Sequence, residues 1–171
     1  MTDTYFLQTK IQSKIKDKLL FKAENFNQWI DYFNFKLMPV DLEIVKEDNF
    51  LKELNNLHPF QAGVLLLPPM TYYDWHVDDE RGVCVNALLN ENSKSFCCFS
   101  GESIKVSGSF KELQYITGEY VIFNNQIRHT VFNFDKKRYL FTVEFNENKN
   151  VLNYNRLLET FQAIKNKYAQ S

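Results

Sequence analysis

Glycine and proline are scarce in this chain, at 5 and 4 of 171 residues, which excludes a collagen-like or low-complexity organisation. Cysteine is scarcer still. Cys84, Cys97 and Cys98 are an odd set containing an adjacent pair, so they build neither a disulfide framework nor a normally spaced zinc site. Buried free thiols in a reducing compartment are the expectation. An excess of positive charge is missing too. Lys plus Arg number 20 against 21 acidic residues, for a net charge of -1, so no basic field draws the chain to nucleic acid. No apolar run is long enough to span a bilayer. The first twenty residues carry scattered lysines instead of an apolar block, so no secretory signal is expected. A soluble cytoplasmic protein is the expectation, and oligomeric state stays open.

Aromatic residues are abundant, with 16 Phe and 9 Tyr. They provide ample material for a rigid core. At 171 residues the chain suits one domain, 1–171. Residues 4–11 read as an opening strand. Apolar residues at 26, 29, 30, 33 and 37 have helical spacing and predict a helix over 24–37, stopped by Pro39. A second short helix is predicted over 47–57, ending before His58-Pro59. From 62 to 146 short apolar or alternating runs follow one another: 63–67, 72–78, 83–89, 95–99, 103–106, 120–123, 129–134 and 138–145. Turn-formers such as Pro68-Pro69, Gly82, Gly101, Gly118 and Asn124-Asn125 separate them. This predicts a mainly β fold with flanking helices, a sandwich or jelly roll of cupin-like type. Residues 152–169 return to helical period and predict a closing helix on the outside of a sheet.

His76-Val77-Asp78 is the most informative local pattern. Side chains two apart on a strand share a face, so His76 and Asp78 point together and Val77 points into packing. Asp79 and Glu80 follow as the chain turns and are poorer ligands. His129 begins another strand. Two imidazoles and a carboxylate can hold Fe(II) on one side and leave the other side open. A His-x-Asp by itself is weak, and His76 alone reads as an ordinary surface or core histidine. The combination with His129 and Arg138 makes the case. His58, before Pro59, reads as a plain turn residue.

Arg138 lies nine residues after His129 and opens an alternating strand. Arg138, Leu140, Thr142 and Glu144 share one face, and Tyr139, Phe141, Val143 and Phe145 the other. A buried guanidinium needs an anion. A ligand carboxylate could take two parallel hydrogen bonds from Arg138 and a third from Thr142. The alternative is an internal ion pair with Glu144 or another acid.

Taken together, Tyr73-Asp74-Trp75-His76-Val77-Asp78, Arg81, the run from Val83 to Asn90, His129, Arg138 and Thr142 resemble the iron(II)/2-oxoglutarate-dependent dioxygenases, within them the prolyl-hydroxylase-like group. The likeness spans roughly 63–145. It implies a double-stranded β-helix. It also implies His76, Asp78 and His129 as catalytic iron ligands, and Fe(II) and 2-oxoglutarate as cofactors. Arg138 with Thr142 would hold the distal carboxylate of the cosubstrate. Tyr73 fills the tyrosine position of the motif, but alternation puts it opposite to His76, so it needs a kink or bulge to reach the pocket. Asn86 shares a face with Cys84 and Leu88 and could contact cosubstrate or substrate. Leu88 stands where some relatives carry a cosubstrate-binding tyrosine, which leaves room for another residue. Arg81 and Arg128 are the candidate substrate contacts, although Arg81 could instead brace Asp78 or do neither.

The reaction implied is decarboxylation of 2-oxoglutarate to succinate, coupled through dioxygen to hydroxylation of a peptide or small-molecule substrate. Two other readings compete with it. One is a different cupin-like metalloenzyme, whose sites usually use more histidines, so the scarcity of His, at 3 in the chain, counts against it. The other is a non-catalytic jelly-roll binding protein. Nothing in the sequence names the substrate.

Overall fold

The computed structural model describes residues 4–91, 94–100 and 109–169. It contains β1 (Phe6–Gln12), α1 (Lys16–Glu24), β2 (Ile30–Tyr32), β3 (Phe35–Val40), α2 (Leu42–Val45), α3 (Asn49–Leu57), β4 (Phe60–Leu67), β5 (Thr71–His76), β6 (Val83–Leu88), β7 (Ser95–Ser100), β8 (Phe110–Leu113), β9 (Glu119–Asn124), β10 (His129–Asn133), β11 (Arg138–Phe145) and α4 (Tyr154–Ala169). The strands form a seven-stranded sheet, β1-β9-β6-β11-β4-β3-β2, and a four-stranded sheet, β5-β10-β7-β8, with antiparallel pairing throughout. This is the expected jelly-roll architecture.

Strand alternation divides the interior in two. On β11, Tyr139, Phe141, Val143 and Phe145 join Val64, Leu66, Val85 and Ile122 beneath the helices. Leu140 faces the other way, with Leu65, Leu67, Leu88, Phe123 and Val131, into the space between the sheets. Phe141 is wholly buried, which contributes on the order of 1.5–3 kcal/mol. The helices cover the first of these cores. Asp48 caps α3, its Oδ1 accepting from the backbone N–H of Phe50 (3.0 Å) and Leu51 (3.2 Å), and Phe50, Leu51 and Leu54 point inward.

Three local expectations need correction. The helix expected over 24–37 is a β-hairpin, and the helix lies upstream at α1, where Leu19 and Ala23 are buried one turn apart. The apolar residues of 24–37 do not form one buried stripe. Ile30 is 50% and Phe33 76% exposed. Phe26 and Trp29 pack on each other at 5.4 Å. Pro39 ends no helix. It sits in β3 beyond the last β2 pair, Ile30↔Leu37, where its missing N–H costs no ladder bond. β8 was not anticipated, and the strand expected over 103–106 lies outside the described residues. Cys84, Cys97 and Cys98 are free and buried. Among the described residues no helix is long and apolar enough to cross a membrane.

Candidate active site

The β5–β10 ladder brings two imidazoles together. His129 stands opposite His76, yet Val131 stands opposite Tyr73, so two steps on β10 match three on β5. β5 therefore carries a bulge. Thr130 is fully buried and pins it, its hydroxyl donating to the Tyr73 carbonyl at 2.6 Å. The bulge is the kink that alternation required. Tyr73 and His76 line the same cavity, with ring centroids 4.1 Å apart.

The His76 and His129 rings lie 4.2 Å apart between centroids. His76 Nδ1 is 2.6 Å from the Asp74 carbonyl, and His129 Nδ1 is 2.9 Å from the Ile127 carbonyl. A carbonyl only accepts, so each Nδ1 is the donor in its contact, which leaves each Nε2 as the candidate ligand atom. Burial pushes the His129 imidazole down to about 4, against the opposing hydrogen bond to Ile127. That ring is neutral at physiological pH, as a metal ligand must be.

Asp78 is set by the turn after β5. Val77 is 43% exposed there, not packed as alternation suggested, because the strand ends at His76. The Asp78 amide donates to the Asn125 carbonyl at 3.2 Å. Its carboxylate Oδ2 accepts from Asn125 Nδ2 at 2.7 Å and pairs with Arg81 Nη2 at 2.8 Å. Oδ1 lies 3.3 Å from His76 Nε2. Burial opposes ionisation of Asp78, but the hydrogen bond to His76 and the charge of Arg81 outweigh it and hold the carboxyl below its usual range. One oxygen is thus occupied by protein donors and the other faces the imidazoles. Gln126 Nε2 donates to the Asp78 and Arg81 carbonyls, both at 2.8 Å, and locks this turn. Gly82 follows, where a Cβ would come within 2.5 Å of the Leu152 carbonyl oxygen, so no side chain fits without backbone movement.

One potential ligand atom from each of His76, Asp78 and His129 lies within 4.8 Å of the others. Two imidazoles and one carboxylate oxygen suit Fe(II) with open coordination positions. His58 is elsewhere, its Nδ1 2.7 Å from Glu147 Oε2 and its Nε2 3.0 Å from Thr160 Oγ1. No third imidazole reaches the cluster.

The same cavity extends to Arg138. Arg138, Leu140 and Thr142 of β11 line it, as does Asn86 of β6, which pairs with Thr142. Arg138 is 2% exposed, and its Nη1 has no hydrogen-bond partner. Among the described residues no carboxylate pairs with it, and Glu144, the candidate internal partner, is exposed. The guanidinium instead lies over the Tyr115 ring, 5.4 Å from its centroid. A buried cation without an anion is unfavourable, so this end of the cavity favours an anionic ligand group.

The structure therefore brings together His76, Asp78, His129, Arg138, Thr142, Asn86, Tyr73 and Arg81. Arg128 is exposed and absent from the lining, opposite in alternation to His129. The sequence places Asn125 and Gln126 in a turn at the pocket mouth but gives no sign of their contacts to Asp78, and it gives no sign of Tyr115 at all. Asn124-Asn125 signalled only a turn, and Tyr115 lies in a short unpatterned segment between β8 and β9. Cys84 and Cys97 also line the cavity, where burial pushes both thiols up to about 12.

No family profile and no curated protein matches the sequence. Solved structures are similar. A prolyl-4-hydroxylase from Pseudomonas putida matches at TM-score 0.59 and 15% identity, over 84% of this chain and 94% of that one. HygX from Streptomyces hygroscopicus, solved with nickel and 2-oxoglutarate bound, matches at 0.60 and 10%, over 83% and 82%. A prolyl hydroxylase from Trichoplax adhaerens, in complex with a hypoxia inducible factor oxygen degradation domain peptide, matches at 0.57 and 15%, over 82% and 81%. The chain thus has the prolyl-hydroxylase-like fold of the 2-oxoglutarate/iron oxygenases.

Proposed function

We propose that this protein is an Fe(II)- and 2-oxoglutarate-dependent dioxygenase that hydroxylates a C–H bond of a peptide or amino-acid-like substrate. One observation carries the reading: a single cavity is lined by His76 and His129, which cluster with Asp78, at one end and by the buried, unpaired guanidinium of Arg138 at the other. A metal-chelating keto acid with a second carboxylate matches both ends. When bound, iron and 2-oxoglutarate supply the oxidising chemistry, using dioxygen and yielding succinate, carbon dioxide and a hydroxylated substrate.

His76 and His129 would offer Nε2, and Asp78 would offer Oδ1. The Nδ1 bonds to Asp74 and Ile127 fix both rings, while Asn125 and Arg81 keep the carboxylate turned. Arg138 would grip the distal carboxylate, with Thr142 adding a hydroxyl donor. Asn86 and Tyr73 supply further polar groups along the lining. Burial raises the Tyr73 phenol, with Asp78 adding to the shift, so it is protonated and can donate. Apolar walls at Leu65, Phe123 and Val131 exclude water. Beside Tyr73 stands Phe33, at the β2–β3 tip, with centroids 6.5 Å apart. That exposed aromatic lip suits an apolar side chain or a proline ring, and the prolyl hydroxylases among the similar structures favour a peptide. With 3 histidines, one of them held by Glu147 and Thr160, the chain has no imidazoles for a histidine-richer cupin metal site.

The test is succinate release by iron-loaded protein across peptide and amino-acid panels. Substrate-stimulated turnover is expected, and a His76→Ala/Asp78→Ala protein should bind no iron. A wild-type protein that binds iron but neither binds nor turns over 2-oxoglutarate would overturn the reading.

A further inference from the structure

Arg138 and Tyr115 belong to two spaces at once. They line the metal cavity, of about 60 Å³. They also line a cleft of about 330 Å³ bounded by Leu88, Ser95, Glu112 and Gln114. The Tyr115 ring and the guanidinium it faces therefore form the wall between the two. Behind that wall the cleft holds the buried Ser95 hydroxyl, which has no hydrogen-bond partner. Burial raises the Tyr115 phenol, with a hydrogen bond to Asn86 acting in the opposite sense. Protonated, it is a donor toward the cavity.

We propose that Tyr115 is the specificity-determining residue for the length of the keto diacid, closing the cavity behind a five-carbon cosubstrate and excluding a six-carbon one. This rests on the function proposed above. With the chelating end anchored at the metal and the far carboxylate at Arg138, one extra methylene has to go somewhere, and the Tyr115 ring, which with Arg138 lines both the cavity and the neighbouring cleft, stands in its way. A single methylene in a fitted pocket is worth about 10–200-fold in selectivity. Removing the ring joins cavity and cleft and gives the longer chain room.

The experiment measures dissociation constants of 2-oxoglutarate and 2-oxoadipate by calorimetry on Mn(II)-loaded wild-type, Tyr115→Phe and Tyr115→Ala proteins, with circular dichroism melts alongside. The wild type is expected to prefer the shorter acid by at least about tenfold. Tyr115→Phe keeps the ring and should keep that preference, while binding both acids more weakly. Tyr115→Ala should bring the ratio to within about threefold. If Tyr115→Ala does not fold, Tyr115→Leu must shift the ratio the same way. A tight wild-type complex whose preference is unchanged in the ring-removing variant overturns the length role alone. A wild-type protein that binds neither acid overturns the proposed function, and this inference with it.

Discussion

Replacing Arg138 with methionine should separate function from stability. The guanidinium is 2% exposed, its Nη1 is unpartnered, and Tyr115 is its aromatic neighbour. An unsatisfied buried donor costs about 1–3 kcal/mol. Loss of the cation–π contact gives back roughly 0.5–2 kcal/mol. Methionine retains an apolar stem of similar reach. The two terms partly cancel, so Arg138→Met should alter the unfolding free energy of the metal-free protein by no more than about 2.5 kcal/mol. Binding should behave in the opposite manner. Truncating one side of a buried charge pair costs about 2–5 kcal/mol, or roughly 30- to 5,000-fold in 2-oxoglutarate affinity. Urea unfolding supplies the first number, and calorimetry on Mn(II)-loaded protein the second. A loss of stability beyond about 3 kcal/mol would mean that the arginine is a structural ion-pair partner. An unchanged affinity would mean that the cation does not meet the ligand.

Three further outcomes are expected. Asn125→Ala removes the 2.7 Å donor to Asp78 Oδ2 and should weaken Fe(II) or Mn(II) binding by about 10- to 100-fold with the fold intact, read by metal titration; unchanged affinity would remove Asn125 from the site. Gly82→Ala places a Cβ 2.5 Å from the Leu152 carbonyl oxygen and should cost about 1–3 kcal/mol in urea unfolding. His58→Ala breaks the contacts to Glu147 and Thr160 and should cost about 1–2 kcal/mol of stability, while leaving the metal dissociation constant within about twofold; loss of metal would show that the ligand set is wrongly drawn.

The sequence was most legible where strands alternate cleanly. The two faces of β11 divide as read, Tyr139 and Phe141 toward the helices and Leu140 and Thr142 toward the cavity, because a period of two follows directly from strand geometry. His76, Asp78 and His129 were legible as residue types with ligand chemistry, and Arg138 as a charge that a strand interior cannot leave unmatched. Segment 24–37 misled because its apolar spacing matches a helix by accident. Long-range pairing with β4 decided the outcome, and local period does not encode that. Asn125 was legible only as part of a turn at the pocket mouth, and Tyr115 not at all, because both come from turns or irregular segments. Their importance arises only when the chain folds Asn125 against Asp78 and lays Tyr115 beside Arg138.

The extra residue in β5 has a consequence for anyone re-engineering this sheet. Deleting it would straighten the ladder with β10 and improve its backbone pairing, a change most stability-driven designs would welcome. It would also rotate either the tyrosine or the imidazole to the far side, since one residue of slip exchanges inside and outside. A tidier strand would be a blind one, and the irregular spacing is what a designer would have to copy to transplant the centre onto another scaffold.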